Sequence, residues 1–211
     1  MNVLVIVAHH DDLEIGCGAT IAKFREKGHK VTSLVMTHSG YSSPNGKNIR
    51  SKEDALNEAR LASNLLDYEL ISFNEDSFDI KINDDNISKI INIIHDRQID
   101  VTFTHFHADT HPPHYKVHKM AIHACRHVPN VFGMKINWYV GETSFDPRLF
   151  IKINESQWEK KINAIKLYKS EFHRVGDKWI NYLNNQSLNY GSQIGVKRAE
   201  AFYIYKFQWD F

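Results

Sequence analysis

The stretch Val3-Leu4-Val5-Ile6-Val7-Ala8-His9-His10-Asp11-Asp12-Leu13-Glu14 decides the fold. Its first six residues are apolar and mostly β-branched, so they read as a buried strand. The strand then ends abruptly in two imidazoles and two carboxylates. In an open α/β sheet, ligands and chemistry gather outside the carboxyl ends of the strands. A strand that delivers His and Asp side chains to that edge points to a metal site. The competing reading is a polar loop after a core strand, and it suits any one of these residues better than it suits the whole cluster.

Working outward, strand and helix patterns alternate. Gly18–Lys27 reads as a helix that Gly28 stops, and Val31–Thr37 as the next strand. His38–Asn48 is rich in Ser, Gly, Asn and Pro and reads as a loop. Lys52–Leu66 places Ala55, Ala59, Ala62 and Leu66 at helical spacing. Glu69–Phe73 reads as a strand, Asp85–Arg97 as a helix with an isoleucine face, Val101–Thr104 as a strand and His114–Arg126 as a helix. Asn137–Val140 is expected to be a strand and Gln157–Lys169 a helix. Trp179–Leu188 reads as helical, and Ala201–Phe207 fits helix or strand. The alternation predicts a single Rossmann-like α/β domain over residues 1–211, with a mostly parallel sheet and helices on both faces. Strand ends near His9 and Thr104 then share one edge, so residues a hundred apart in sequence can share one site.

Bulk properties narrow the function classes. With 211 residues the chain can bury a real core. It has 26 basic and 25 acidic side chains, a net charge of +1, so it carries no electrostatic footprint for nucleic acid. Cys17 and Cys125 are the only cysteines and do not make a disulfide framework or a Cys-rich zinc module. The N-terminal apolar run is short and lacks a basic leader, so neither a signal peptide nor a membrane span is expected. The expectation is a soluble cytoplasmic protein, with homo-oligomerisation left open. Histidine is the compositional outlier, at 13 copies, many of them between His105 and His127.

The second histidine cluster, Thr104-His105-Phe106-His107-Ala108-Asp109-Thr110-His111-Pro112-Pro113-His114, follows the strand Val101–Thr104. Pro112 and Pro113 suit a first helical turn, which puts His111 and His114 near a helix start. Catalytic zinc takes nitrogen and oxygen ligands and keeps one position open for water, whose pKa falls to about 7. Two histidines and one carboxylate meet that need, and a second carboxylate can act as general base. Asp11 and Asp12 can split these roles, because neighbouring side chains on extended backbone point different ways.

With these motifs in view, the chain resembles the LmbE-like, or PIG-L, family of zinc-dependent N-deacetylases. Ala8-His9-His10-Asp11-Asp12-Leu13-Glu14 is similar to that family's first motif, and Asp109-Thr110-His111-Pro112-Pro113-His114 to its second. Phe145-Asp146-Pro147 through Lys161, Ala164, Tyr168, Lys169 and Ser170 resembles a later segment, and Ala199-Glu200-Ala201-Phe202 the C-terminal end. By position, the resemblance implies Zn2+ held by His9, Asp12 and His114. It implies Asp11 as the base that activates water. It gives His111 the task of stabilising the oxyanion, protonating the leaving amine, or both. The implied substrate is a small N-acyl, most often N-acetyl, amino-sugar-type molecule.

Departures from the family pattern carry their own expectations. Pro113 replaces an aspartate that in relatives orients a histidine, so Asp109 or Glu14 substitutes or the site is weakened. A weakened site would make the chain a non-catalytic zinc- or sugar-binding member of the same fold. His10 replaces the usual proline and is either a substrate contact or a solvated loop residue. Glu171 stands where relatives often have glutamine. Arg50 and Asp109 are further candidates for holding substrate, and Trp138, Tyr139 and Glu142 are candidates for meeting a sugar face. His118 is expected at the surface or behind the ligands, and His105 or His107 in the pocket lining. Gly16-Cys17-Gly18 does not complete a dinucleotide fingerprint, since Ile21 stands where Gly or Ala belongs and carboxylates precede it; close packing of the helix explains the glycines better.

Overall fold

Val3, Val5 and Val7 are buried in one hydrophobic core, and Leu4, Ile6 and Ala8 in another. The period-2 alternation of a strand, with both sets apolar, means that the first strand is covered on both faces. The computed structural model describes residues 1–139, 141 and 143–208. In chain order the elements are β1 (Asn2–Val7), α1 (Asp12–Glu26), β2 (Lys30–Thr37), the short hairpin β3 (Tyr41–Ser42) and β4 (Asn48–Arg50), α2 (Lys52–Leu66), β5 (Glu69–Glu75), α3 (Asp84–Asp96), β6 (Val101–His105), α4 (Pro112–Ala124), β7 (Asn130–Met134), β8 (Leu149–Lys152), α5 (Glu155–Leu167), α6 (Lys169–Val175), α7 (Asp177–Gln193) and β9 (Ala199–Lys206).

The main sheet has seven strands in the order β5-β2-β1-β6-β7-β9-β8. The strands from β5 to β7 are parallel, whereas β9 runs antiparallel to β7 and to β8. The chain winds outward from β1 to β2 and β5, then returns to lay β6 on the other side of β1. The strand order therefore reverses between β1 and β6. At such a switch point the connections diverge to opposite sides and leave a crevice beyond the strand ends. Val3 pairs with Val101 and Ile6 with Thr104, so β1 and β6 end side by side.

On one face, Ala59 and Ala62 of α2, Trp158 and Ile165 of α5, and Trp179 and Leu183 of α7 pack over Phe103, Phe132 and Phe202. On the other, Ile90 of α3 and Val117, Met120 and Ala121 of α4 cover Leu4 and Ile6. Helix starts follow capping chemistry. Ser51 accepts from the Asp54 amide, Asn83 from that of Asn86, and Asn154 and Gln157 form a reciprocal capping box.

Several expectations need correction. The first helix starts at Asp12, six residues earlier than its pattern indicates, because the acidic residues Asp12 and Glu14 themselves form its first turn; a non-helical Cys17 (φ −146°) interrupts the repeat. No strand occupies the described residues 137–139, and Val140 lies outside the described residues. The strand in this region is β7, hidden by Gly133, where a Cβ would come within 2.8 Å of the Tyr205 ring. β8 was not anticipated, and β9 resolves the ambiguity of the last segment as strand. The loop at His38–Asn48 contains the small hairpin that carries Arg50.

Candidate metal centre

The turn between β1 and α1 holds itself together. The Asp12 carboxylate accepts the His9 backbone N–H (2.7 Å), which orients the first turn of α1 and turns Asp12 back toward the strand end. The Ala8 carbonyl accepts Thr37 N–H (3.2 Å) and Oγ–H (2.8 Å) from β2. The Ala8 N–H donates to His105 Nε2 at the end of β6 (2.9 Å). Both neighbouring strands thus clamp the residue that precedes His9.

The loop after β6 brings the second group. His111 precedes α4 and His114 lies in its first turn, behind Pro112 and Pro113. His114 Nδ1 faces the Asp109 carboxylate at 2.9 Å. Asp109 is in turn fixed by the His111 amide (2.8 Å) and the Asn137 side-chain amide (2.7 Å). Burial pushes the Asp109 carboxyl up, but the hydrogen bond and charge of His114 outweigh it and hold it at about 2. Burial lowers the His114 pKa, but Asp12 and Asp109 outweigh it and raise it to about 10; Asp109 holds the Nδ1 proton, so a metal at Nε2 takes the place of the second proton, which faces Asp12. His9 Nε2 donates to the Ser77 carbonyl (3.3 Å), which turns its Nδ1 toward His114 Nε2 and Asp12.

The inward-facing atoms converge. His9 Nδ1 lies 3.3 Å from His114 Nε2 and 3.5 Å from Asp12 Oδ2, and His114 Nε2 lies 3.3 Å from Asp12 Oδ1. Burial raises the Asp12 pKa, yet His114 and His105 more than offset this and leave it well below the usual carboxylate range. A proton on His114 bridges these atoms in the absence of a metal; once it is gone, two imidazole lone pairs and a carboxylate face one another and favour a cation among them. Zinc bonds of about 2.0–2.1 Å in a tetrahedron place ligand atoms about 3.3–3.4 Å apart, so these three side chains fit such an ion.

Among the described residues, two overlapping groups bring donor atoms within 4.8 Å of one another: His9, His111 and His114, and Asp12, His105 and His114. His105 is a poor ligand despite its place in the second group. It is fully buried, stacked on His114 at 4.0 Å between ring centroids, and its Nε2 lone pair is already taken by the Ala8 N–H. His111 lines the cavity. Its rings of contact are His9 (5.2 Å) and His114 (4.7 Å), and burial with the charges of those neighbours lowers its pKa to about 4. It is therefore neutral near pH 7 and can donate one N–H.

Asp11 points into the cavity instead of capping α1. Burial raises its pKa to about 6, although Arg50 (Nη1 to Oδ2, 3.8 Å) opposes the shift. Such a carboxyl sits near the pKa that suits a base working at neutral pH. Arg50 is buried, 5.5 Å over the Tyr168 ring and within 3.3 Å of Glu58 and 4.0 Å of Glu171. Glu171 accepts the Tyr41 hydroxyl (2.6 Å) and the Arg174 guanidinium. These groups close one end of a cavity of about 480 Å³, whose mouth is edged by Phe78, Trp138 and Tyr139, with the buried Trp179 in its wall.

Two expectations about substrate contact in this cavity are overturned. His10 is neither solvated nor in the cavity lining: it is buried, its Nε2 reaches Ser72 Oγ (3.1 Å), and burial followed by the Arg50 charge lowers its pKa to about 3. Asp109 stands behind His114 and lines the adjoining cavity with Thr110 and Asn137, and its carboxylate meets His114 Nδ1 where Pro113 offers no acid. His118 is buried, donating from Nδ1 to the His105 carbonyl (3.1 Å). Glu142 lies outside the described residues. The sequence pattern gave no warning of Tyr41, Phe78, Arg174 or Trp179, which reach the cavity from four separate segments.

Fold and site together define a Rossmann-like α/β protein with a cluster of His and Asp donors, able to hold a metal ion, at its switch point. The chain belongs to the PIG-L family: the family profile, described as GlcNAc-PI de-N-acetylase, matches residues 4–125. The uncharacterised deacetylase YaiS of Escherichia coli (strain K12) is 31% identical over 176 residues, covering 80% of this chain and 91% of YaiS. Among solved structures, the N,N'-diacetylchitobiose deacetylase of Pyrococcus horikoshii in complex with its inhibitor MPG superposes with a TM-score of 0.82 at 21% identity, over 96% of this chain and 83% of that one. GalB, the 4-carboxy-2-hydroxymuconate hydratase of Pseudomonas putida KT2440, superposes equally well, with a TM-score of 0.83 at 17% identity over 100% and 98% of the two chains. Both likenesses speak to the fold, and the second is a reminder that fold alone does not fix the reaction. Among the described residues no helix is long and apolar enough to cross a membrane.

Proposed function

We propose that this chain is a zinc-dependent N-deacetylase of small N-acetylated, amino-sugar-type molecules, with His9, Asp12 and His114 as the metal ligands. The observation that carries the reading is the convergence of two inward-facing imidazole nitrogens and a carboxylate at 3.3–3.5 Å, with each histidine's outer nitrogen already held. Zinc bound there supplies a Lewis acid that polarises the acyl carbonyl and acidifies water.

The chain's own residues perform the proton transfers. Asp11 accepts a proton from the attacking water as its oxygen bonds to the acyl carbon. The neutral His111 donates its N–H to the oxyanion that forms. As the C–N bond breaks, Asp11 returns its proton to the leaving nitrogen, giving a carboxylic acid and a free amine. The charge of Arg50 keeps the Asp11 pKa from rising further and so preserves its value as a base. The aromatic mouth of Phe78, Trp138 and Tyr139 suits the C–H face of a sugar ring. A binding-only role draws its motive from Pro113, and Asp109 removes that motive.

The test measures metal content and acetate release together. Purified protein is expected to carry about one zinc per chain and to release acetate from N-acetylglucosamine conjugates. Asp11→Asn is expected to keep its zinc and lose about 10²–10⁴-fold in kcat. An Asp11→Asn variant as active as the parent overturns the assignment of the base. Zinc-loaded protein inert on a broad panel of N-acyl sugars overturns the reaction.

A further inference from the structure

The first helix of the site is broken, and a buried ion pair from the far end of the chain spans the break. Helix α1 loses its regular backbone at Cys17 (φ −146°, ψ 16°), just after the turn that bears Asp12. Lys161 of α5 and Glu200 of β9 lie beside that break, only 3% and 5% exposed, with Nζ and Oε1 at 2.6 Å. Lys161 Nζ also donates to the Ile15 carbonyl (2.8 Å), on the near side of the break. Glu200 accepts the Ala19 N–H (3.3 Å) and the Thr20 N–H (2.6 Å), on the far side.

This is capping chemistry applied twice. A carboxylate is favourable where a helical segment begins and exposes N–H groups, and an ammonium where a segment ends in free carbonyls. The pair therefore ends one short segment and starts the next. The flanking glycines fit the same picture. A Cβ on Gly18 would meet Lys161 Cγ at 3.2 Å, and one on Gly16 would meet Ile136 Cδ1 at 2.7 Å. Gly16-Cys17-Gly18 is thus the sequence of a break that must accept a lysine stem on one side and β7's neighbours on the other.

We propose that Lys161 and Glu200 are positioning residues for Asp11 and Asp12. The connection is short. Lys161 holds the Ile15 carbonyl, the Ile15 N–H is bonded to the Asp11 carbonyl (3.1 Å), and the Ile15 side chain lines the cavity. Freed from the axis of the rest of α1, the turn from Asp11 to Gly16 takes the direction that lets Asp12 meet His9 and His114 while Asp11 faces the cavity. The inference rests on the proposed roles of Asp11 and Asp12.

Lys161→Met with Glu200→Gln removes both charges and keeps both shapes. A buried pair replaced as a unit by neutral groups of similar volume is tolerated, whereas removal of one partner strands the other. The double variant is expected to unfold near the parent's temperature, yet to bind zinc about tenfold more weakly in competition with a chromogenic chelator and to lose at least about tenfold in kcat with KM little changed. Lys161→Arg with Glu200→Asp, which keeps both charges but changes their reach across the break, decides on the same two readouts should the double variant not fold. Parental zinc affinity and kcat in a folded variant would show the pair to be structural only and overturn the proposal. Parent protein that binds no zinc and releases no acetate overturns instead the function on which the proposal rests, so the two failures are distinct.

Discussion

On the floor of the cavity, His9, Asp12 and His114 are each held by a second contact, to the Ser77 carbonyl, the His9 amide and Asp109 respectively. At its mouth, Phe78 and Tyr139 are 56% and 64% exposed, and their packing contacts are other rings: Tyr41 and His111 for Phe78, Trp138 for Tyr139. The floor is over-determined and the mouth is not. A floor built this way fixes donor atoms to within the tolerance of a metal ion, and each atom removed from it costs chemistry. A mouth of exposed rings supplies apolar area with little geometric demand, and each ring removed costs binding. The difference separates what the molecule does from what it does it to.

The sharpest way to break this contrast is at the floor. His111→Ala removes the neutral N–H donor and is expected to lower kcat by about 10²–10³-fold while zinc content stays at the parent's level. Loss of zinc in this variant would instead place His111 among the ligands, an arrangement its closeness to His9 and His114 allows. Asp109→Asn is gentler. It keeps the side chain's size but weakens the acceptor that fixes the His114 tautomer, so zinc affinity is expected to fall by about 10–100-fold. Parental affinity in Asp109→Asn, read by chelator competition, would mean that His114 needs no orienting carboxylate and that the floor is less tightly determined than its hydrogen bonds indicate.

The floor was also the part most visible in the sequence, for a physical reason. A strand buried on both faces has to be apolar at every position, so the polar run from His9 to Asp12 marks its end without ambiguity. Parallel pairing then brings the end of β6 to the same edge. What the sequence hid was whatever depends on contacts between distant segments. His10 looks solvent-facing by type, yet Ser72 and burial hold it inside. β7 looks broken at Gly133, yet the gap is filled by Tyr205 from β9. Asp109 is visible as an acid near the histidines, but only the folded loop shows that it stands behind His114. The mouth is assembled from loops with no periodic signal, which is why the acceptor molecule is less legible than the reaction.

At the mouth the effects are expected to be smaller and of a different kind. Phe78→Ala and Tyr139→Ala each remove an exposed ring from the cavity edge, and each is expected to raise KM by a few-fold, about 1 kcal/mol or less, with kcat and zinc content unchanged. Steady-state kinetics on an N-acetylglucosamine glycoside separate the two parameters. A fall in kcat matching that of the floor variants would erase the distinction drawn here.

The smallest effect at neutral pH concerns what lies beneath the floor. His118 is buried against the His105 carbonyl, and burial lowers its pKa from 6.5 to about 4. The fold therefore keeps the ring neutral, while the unfolded chain takes up a proton as pH drops below 6.5. Between these two values the unfolded state binds more protons, so this group makes stability fall as pH falls from 6.5 toward 4 and contributes nothing above that window. His118→Asn keeps an N–H where Nδ1 stood and removes the titration. Its melting temperature at pH 7.5 is expected to lie near the parent's, and its acid-unfolding midpoint to move down by about a few tenths of a pH unit. Circular dichroism melts at several pH values between 7.5 and 4 read this directly. An unchanged slope of melting temperature against pH would show that other groups carry the acid sensitivity, and that the support beneath the metal ligands tolerates a charged imidazole.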